Sequence, residues 1–215
     1  ILSGWIISLT YFTISYPETE WDWNSIDIDN VHFPSSFVWG TATAAHQVEG
    51  NNTNNNWYQW EHSFDESNVS RIHDEQKSEI AVDHWNRYSS DIDLMNDLGV
   101  SHYRFSIEWS RIEPKKGEYD PNAIDHYRTM CEEMVSKNIT PVITLHHFTN
   151  PIWFEKMGAF EKEENSAYFL KFCEVIFEEF SDIVPIWCTF NEPSVYVAQG
   201  YFQGIFPPGK KDPVL

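Results

Sequence analysis

The sequence predicts an α/β fold assembled from parallel βα units. Four short apolar runs of strand length recur between Phe37 and Phe190. The segments between them space their apolar residues three and four apart, the period of a helix packed on one face. No Gly-rich phosphate turn follows the first run, and Gly40 and Gly50 are too far apart to make one, which counts against a dinucleotide-binding sheet. Strand, helix, strand at this rhythm runs each strand parallel to the one before. A doubly wound sheet and a closed barrel both meet that description.

Residues 1–14 are apolar and aromatic, with Gly4 and a few hydroxyls. The stretch is too short for a transmembrane helix, and it shows no basic leading region and no clear cleavage site. It reads as the tail of a truncated signal or anchor, or as an arm packed on the domain. Residues 17–30 turn acidic and polar, so residues 1–30 form an arm with a linker, and residues 31–215 hold the fold.

The first strand is expected over residues 37–42, followed by a long polar loop in which the run from Asn51 to Asn56 reads as solvated. A helix is expected over residues 79–98, with Ala81, Trp85, Tyr88, Ile92 and Met95 inward and Gly99 at its C-cap. Period-two alternation marks the second strand over residues 103–109, and Pro114 and Gly117 mark the loop after it. Asp120 is placed to N-cap a helix with Pro121 at its first position and Ile124, Tyr127, Cys131 and Met134 inward. Residues 141–145 give the third strand. Asn165 and Ser166 open a third helix, with Phe169, Phe172, Ile176 and Phe180 inward. Residues 183–188 begin the fourth strand, which runs into Thr189-Phe190-Asn191-Glu192-Pro193.

At 215 residues the chain supports one good-sized core or at most two small ones. The 10 Trp, 10 Tyr and 15 Phe fill a core, and they also suit sugar rings, whose apolar C–H faces stack on aromatics. The net charge of −19 argues against nucleic acid or an anionic membrane as partner and fits a neutral small-molecule ligand. Cys131, Cys173 and Cys188 have no zinc or redox spacing and lie in apolar stretches, so buried reduced thiols and an intracellular setting are expected. Asn51-Asn52-Thr53, Asn68-Val69-Ser70 and Asn138-Ile139-Thr140 match the short glycosylation acceptor pattern, which decides nothing without secretion.

The chemistry concentrates at strand ends. Glu192 stands where a buried strand gives way to a loop, before a Pro193 that has no N–H and biases it toward extended backbone. Desolvation at such a mouth would raise its pKa and keep it protonated, as a general acid requires. Gln47 follows the first strand, His147 the third and Asn191 the fourth, while Arg104 lies inside the second. Each alone has a structural reading: a loop cap, a hydrogen-bonded histidine, a buried ion-pair partner. Together they form a constellation, because the C-terminal face of a parallel βα barrel carries the active site. His146 and His147 are strand neighbours that point to opposite faces, so no metal site is expected, and no cofactor motif is present.

These residues sit in motifs that resemble glycoside hydrolase family 1, the β-glucosidase and β-galactosidase group. The resemblance runs from Phe33 to about Pro208. It rests on Phe37-Val38-Trp39-Gly40-Thr41-Ala42-Thr43-Ala44-Ala45-His46-Gln47-Val48-Glu49-Gly50, Tyr103-Arg104-Phe105-Ser106-Ile107-Glu108-Trp109-Ser110-Arg111, Pro141-Val142-Ile143-Thr144-Leu145-His146-His147-Phe148 and Thr189-Phe190-Asn191-Glu192-Pro193. It implies a (β/α)8 TIM barrel, of which about the first four βα units are present, and a retaining β-glycosidase acting on terminal β-linked sugars. Carried over residue by residue, it makes Glu192 the general acid/base and has Asn191 bond the sugar 2-hydroxyl. Gln47 and His147 would bind glycone hydroxyls beside the aromatic wall of Phe148, and Arg104 would support the nucleophile. Gly158-Ala159-Phe160 departs from the family's usual Gly-Gly-Trp. The nucleophile of the family lies in a Glu-Asn-Gly motif, which this chain does not contain, so the chain reads as a fragment inactive alone. A sugar-binding relative without catalysis and a 6-phospho-β-glycosidase are the competing readings.

Overall fold

The computed structural model describes residues 2–15 and 32–212. The chain divides into two compact units, Ile1–Phe37 and Val38–Leu215. In the first unit, α1 (Leu2–Ser15) leaves large apolar side chains such as Trp5, Ile7 and Ile14 exposed. No helix among the described residues is long and apolar enough to cross a membrane. The acidic linker expected over residues 17–30 lies outside the described residues.

The second unit is built on four parallel strands: β1 (Gly40–Ala42), β2 (His102–Ser106), β3 (Thr140–His146) and β4 (Ile186–Phe190). They pair in chain order, Thr41 beside Tyr103, Phe105 beside Ile143, Ile143 beside Trp187. A doubly wound sheet reverses its strand order at a switch point; this one does not across its four strands, which is how a barrel wall is laid. The crossovers are α2 (Ala45–Val48), α3 (Asn56–Glu61) and α4 (His84–Leu98), then α5 (Trp109–Ile112) and α6 (Pro121–Ser136), then α7 (Ile152–Lys156) and α8 (Ser166–Phe180). After β4 comes α9 (Pro193–Val197), continued by a π-helical turn over Ala198–Gln203.

Two helices follow their sequence patterns closely. In α6 the Asp120 side chain accepts from the Asn122 N–H at 2.9 Å with Pro121 in the first turn. Tyr127, Met130, Cys131 and Met134 are buried, and Ile124 is partly so. In α8, Phe169, Phe172, Ile176 and Phe180 are all buried, and Phe172 stacks on Trp109 at 5.1 Å. Between these helices and the sheet lies the main core, with Trp109, Tyr103 and Phe154 among its fully buried members.

Three expectations need correction. The helix expected from Glu79 begins at His84, because Glu79, Ala81 and Asp83 adopt left-handed backbone (φ 38°, 48° and 58°) where the chain passes against Gly50. The alternation over residues 103–109 overstates β2, since Trp109 opens α5, where the Glu108 carboxylate caps the Ser110 N–H. The Asn51 to Asn56 run is not uniformly solvated: Asn52, Asn55 and Asn56 are buried. Asn55 N-caps α3 by accepting from the Tyr58 N–H at 2.8 Å, and Asn56 accepts from the Asn150 N–H at 2.9 Å. Nearby, buried Glu49 accepts from Arg111 at 2.9 Å and from the Tyr127 hydroxyl. Burial raises its carboxyl pKa, opposed by the Arg111 charge.

All three cysteines are free, but only Cys131 is fully buried; Cys173 and Cys188 are half-buried. Burial pushes the Cys131 and Cys173 thiols up to about 12.

Candidate active site

The C-terminal ends of the strands are stitched into one rim by backbone bonds just past the ladders. Thr43 N–H reaches Arg104 O at 2.9 Å, Ile107 N–H reaches Thr144 O at 3.2 Å, and Asn191 N–H reaches His146 O at 2.8 Å. The first turn of α2 is pinned to the same rim, with Ala45 N–H on the Ser106 hydroxyl at 2.8 Å. Gln47 therefore stands beside the ends of β1 and β2.

Arg104 spans the rim. It starts on β2, donates from Nε to Thr144 Oγ1 of β3 at 2.8 Å, and donates from Nη2 to Asn191 Oδ1 after β4 at 2.7 Å. Among the described residues this half-buried guanidinium has no carboxylate partner. Its partners are a hydroxyl, an amide and, at 3.5 Å, the Cys188 sulfur, not the ion pair that a buried structural arginine would use.

The two adjacent histidines part company. His146 is buried against Phe160, Phe190 and Tyr196, and its Nε2–H donates to Asn150 Oδ1 at 3.0 Å. His147 turns the other way, into a cavity of about 380 Å³ that Gln47, Phe148, Trp57 and Phe206 also line. Burial pushes both imidazoles down to about 4, the Arg104 charge adding to the effect at His147. A neutral imidazole offers one donor and one acceptor, which suits sugar hydroxyls. The His147 Nδ1 is buried without a hydrogen-bond partner among the described residues. Phe148 and Phe206 meet edge to face at 5.8 Å, and Trp57 and Phe206 at 4.8 Å, so the cavity has an aromatic wall of three rings.

The cavity thus joins Gln47, His147 and Phe148, and Arg104 holds Asn191. Glu192 does not line that cavity. Its side chain is exposed among the described residues, in which β4 is the last strand of the sheet. Nor is its backbone extended. Glu192 lies in the left-handed region (φ 43°, ψ 61°) as the residue before α9, with Pro193 in the first turn and Tyr196 N–H on the Glu192 carbonyl at 3.0 Å. Phe148 is also left-handed, at φ 69°. Left-handed backbone costs a non-glycine residue about 1–3 kcal/mol.

Trp57 and Phe206 are the cavity residues that sequence reasoning passed over. Trp57 belongs to α3, which the sequence hid inside a polar stretch, and Phe206 lies in a stretch without periodicity. Among the described residues no group of three metal-ligating side chains converges.

The profile of Glycosyl hydrolase family 1 matches residues 29–215. The chain belongs to glycosyl hydrolase family 1. It is 37% identical over 191 residues to beta-glucosidase A of Acetivibrio thermocellus, a match covering 86% of this chain and 42% of that protein. It is 38% identical over 191 residues to beta-glucosidase 47 of Arabidopsis thaliana, covering 85% of this chain and 35% of the other. The fold is similar to that of the family 1 β-glucosidase from Thermotoga maritima, with a TM-score of 0.79 at 33% identity over 84% of this chain and 41% of that one. This family 1 chain therefore spans about 42% or less of the length of these relatives. Its sequential parallel strands are part of a TIM barrel, and the rim carrying Gln47, Arg104, His147 and Asn191 is the barrel face where strands end.

Proposed function

We propose that the protein containing this chain is a retaining β-glycosidase that hydrolyses terminal β-linked sugars, with Glu192 as its general acid/base. The observation that carries this reading is Arg104. Retaining hydrolysis needs two carboxyl groups about 5–5.5 Å apart, one to protonate the leaving oxygen and one to attack the anomeric carbon. Glu192 is the carboxyl at the end of β4. Arg104, fixed between Thr144 and Asn191 with no carboxylate partner among the described residues, is a cation placed to receive the second. That second carboxylate is to be sought outside residues 1–215, since no Glu-Asn-Gly occurs within them.

In this reading His147 and Gln47 bind glycone hydroxyls in the cavity, with the Phe148 ring beside them. Asn191, its Oδ1 held by Arg104, turns its amide N–H toward the 2-hydroxyl. Glu192 gives its proton to the leaving group, then takes one from the water that releases the glycosyl-enzyme.

The test uses the full-length protein and an aryl β-glucoside. Glu192→Ala is expected to lower turnover by about 10²–10⁴-fold, and added azide to restore part of it, since an external anion can intercept the glycosyl-enzyme without a base. Undiminished turnover in the variant removes Glu192 from its role. Sugar binding without turnover in the unmutated full-length protein favours the sugar-binding alternative.

A further inference from the structure

We infer that Asn51, Asn68 and Asn138 accept N-linked glycans when the full-length protein meets the glycosylation machinery of a secretory compartment. Three Asn-X-Ser/Thr acceptors occur in the sequence. In a folded domain many such asparagines are buried or spent on capping, and this chain shows the contrast at close range. Within the run from Asn51 to Asn56, the acceptor Asn51 is exposed, while Asn52, Asn55 and Asn56 are buried. Asn68 and Asn138 are exposed as well. All three sit in loops or turns, at φ 55°, 59° and 59°. None of their side-chain amides takes part in a hydrogen bond among the described residues. Asn55, Asn56, Asn150 and Asn165, by contrast, spend their side chains on hydrogen bonds within the fold.

Their placement leaves the sugar site open. None of the three lines the cavity of Gln47 and His147. Asn138 lies in the turn that leads into β3, at the opposite end of the sheet from the rim.

The transfer is a substitution at an anomeric carbon. The Asn amide nitrogen attacks C1 of a lipid-diphosphate-linked oligosaccharide. The new N–C1 bond replaces the C1–O bond to the diphosphate, the amide loses one proton to a base, and the lipid diphosphate leaves.

The full-length coding sequence, with its own N-terminus, is expressed in a eukaryotic secretory host. The purified protein is compared before and after peptide:N-glycosidase in heavy-oxygen water, which converts each glycan-bearing Asn to a labelled Asp. Label at Asn51, Asn68 and Asn138 is expected. Asn→Gln at each position, and separately Thr53→Ala, Ser70→Ala and Thr140→Ala, should each remove one step of electrophoretic mobility. A position without label loses its assignment, and a full-length protein without label at any of the three overturns the inference.

Discussion

At the scale of single residues, Arg104 is the decisive group. Its guanidinium serves Thr144 through Nε and Asn191 through Nη2, a two-armed arrangement that the single ammonium of lysine cannot reproduce. Arg104→Lys is expected to lower kcat/KM of the full-length protein by about 10–100-fold, the equivalent of one lost charged hydrogen bond. Steady-state kinetics on an aryl glucoside reads this directly, and a kcat/KM within twofold of the unmutated protein would refute the role. Much of this site was legible in the sequence, because Gln47, His147, Asn191 and Glu192 each follow an apolar strand and a strand end has a fixed face. What was not legible was the environment of Glu192. Its left-handed backbone just before α9 has no signature in the local sequence, where Pro193 biases the preceding residue toward extended backbone.

At the scale of elements, the same division recurs. Helices α6 and α8 could be read closely because each packs one continuous face on the sheet, so the 3,4 spacing of apolar residues is the whole constraint. The approach to α4 could not, because the residues before His84 are shaped by a distant contact. Gly50 sits at φ 82°, and a Cβ there would lie 2.2 Å from the Ile80 carbonyl oxygen. The segment from Glu79 to Asp83 bends around that glycine, and the Glu79 carbonyl accepts from the Asn51 N–H. Gly50→Ala is therefore expected to destabilise the protein by about 2 kcal/mol or more, combining left-handed strain with displacement of the 79–83 segment. The midpoint of chemical denaturation measures it, and an unchanged midpoint would show that the contact relaxes without cost.

At the scale of the whole molecule, burial sets the response to acid. His146, almost wholly buried, has its pKa pushed down to about 4, against about 6.5 in an unfolded chain. A depressed folded pKa contributes stability that is fully present above about pH 6.5 and is lost as pH falls toward 4. Fully developed, this amounts to about 3 kcal/mol. Glu155, whose carboxyl burial raises, pulls the other way, so a comparison of variants is needed to isolate the histidine. His146→Gln cannot charge and is expected to lose less stability between pH 6.5 and 4 than the unmutated protein, by up to that amount. Equal slopes in denaturation measured across this window would remove His146 as an acid-sensitive point. The strand order carries a consequence for how the protein is made. Because β1, β2, β3 and β4 lie side by side in the order in which they are synthesised, each strand leaving the ribosome finds its neighbour already present. Across these four strands the sheet can grow by addition at the β4 edge, while the other edge of β1 waits for the strand that closes the barrel.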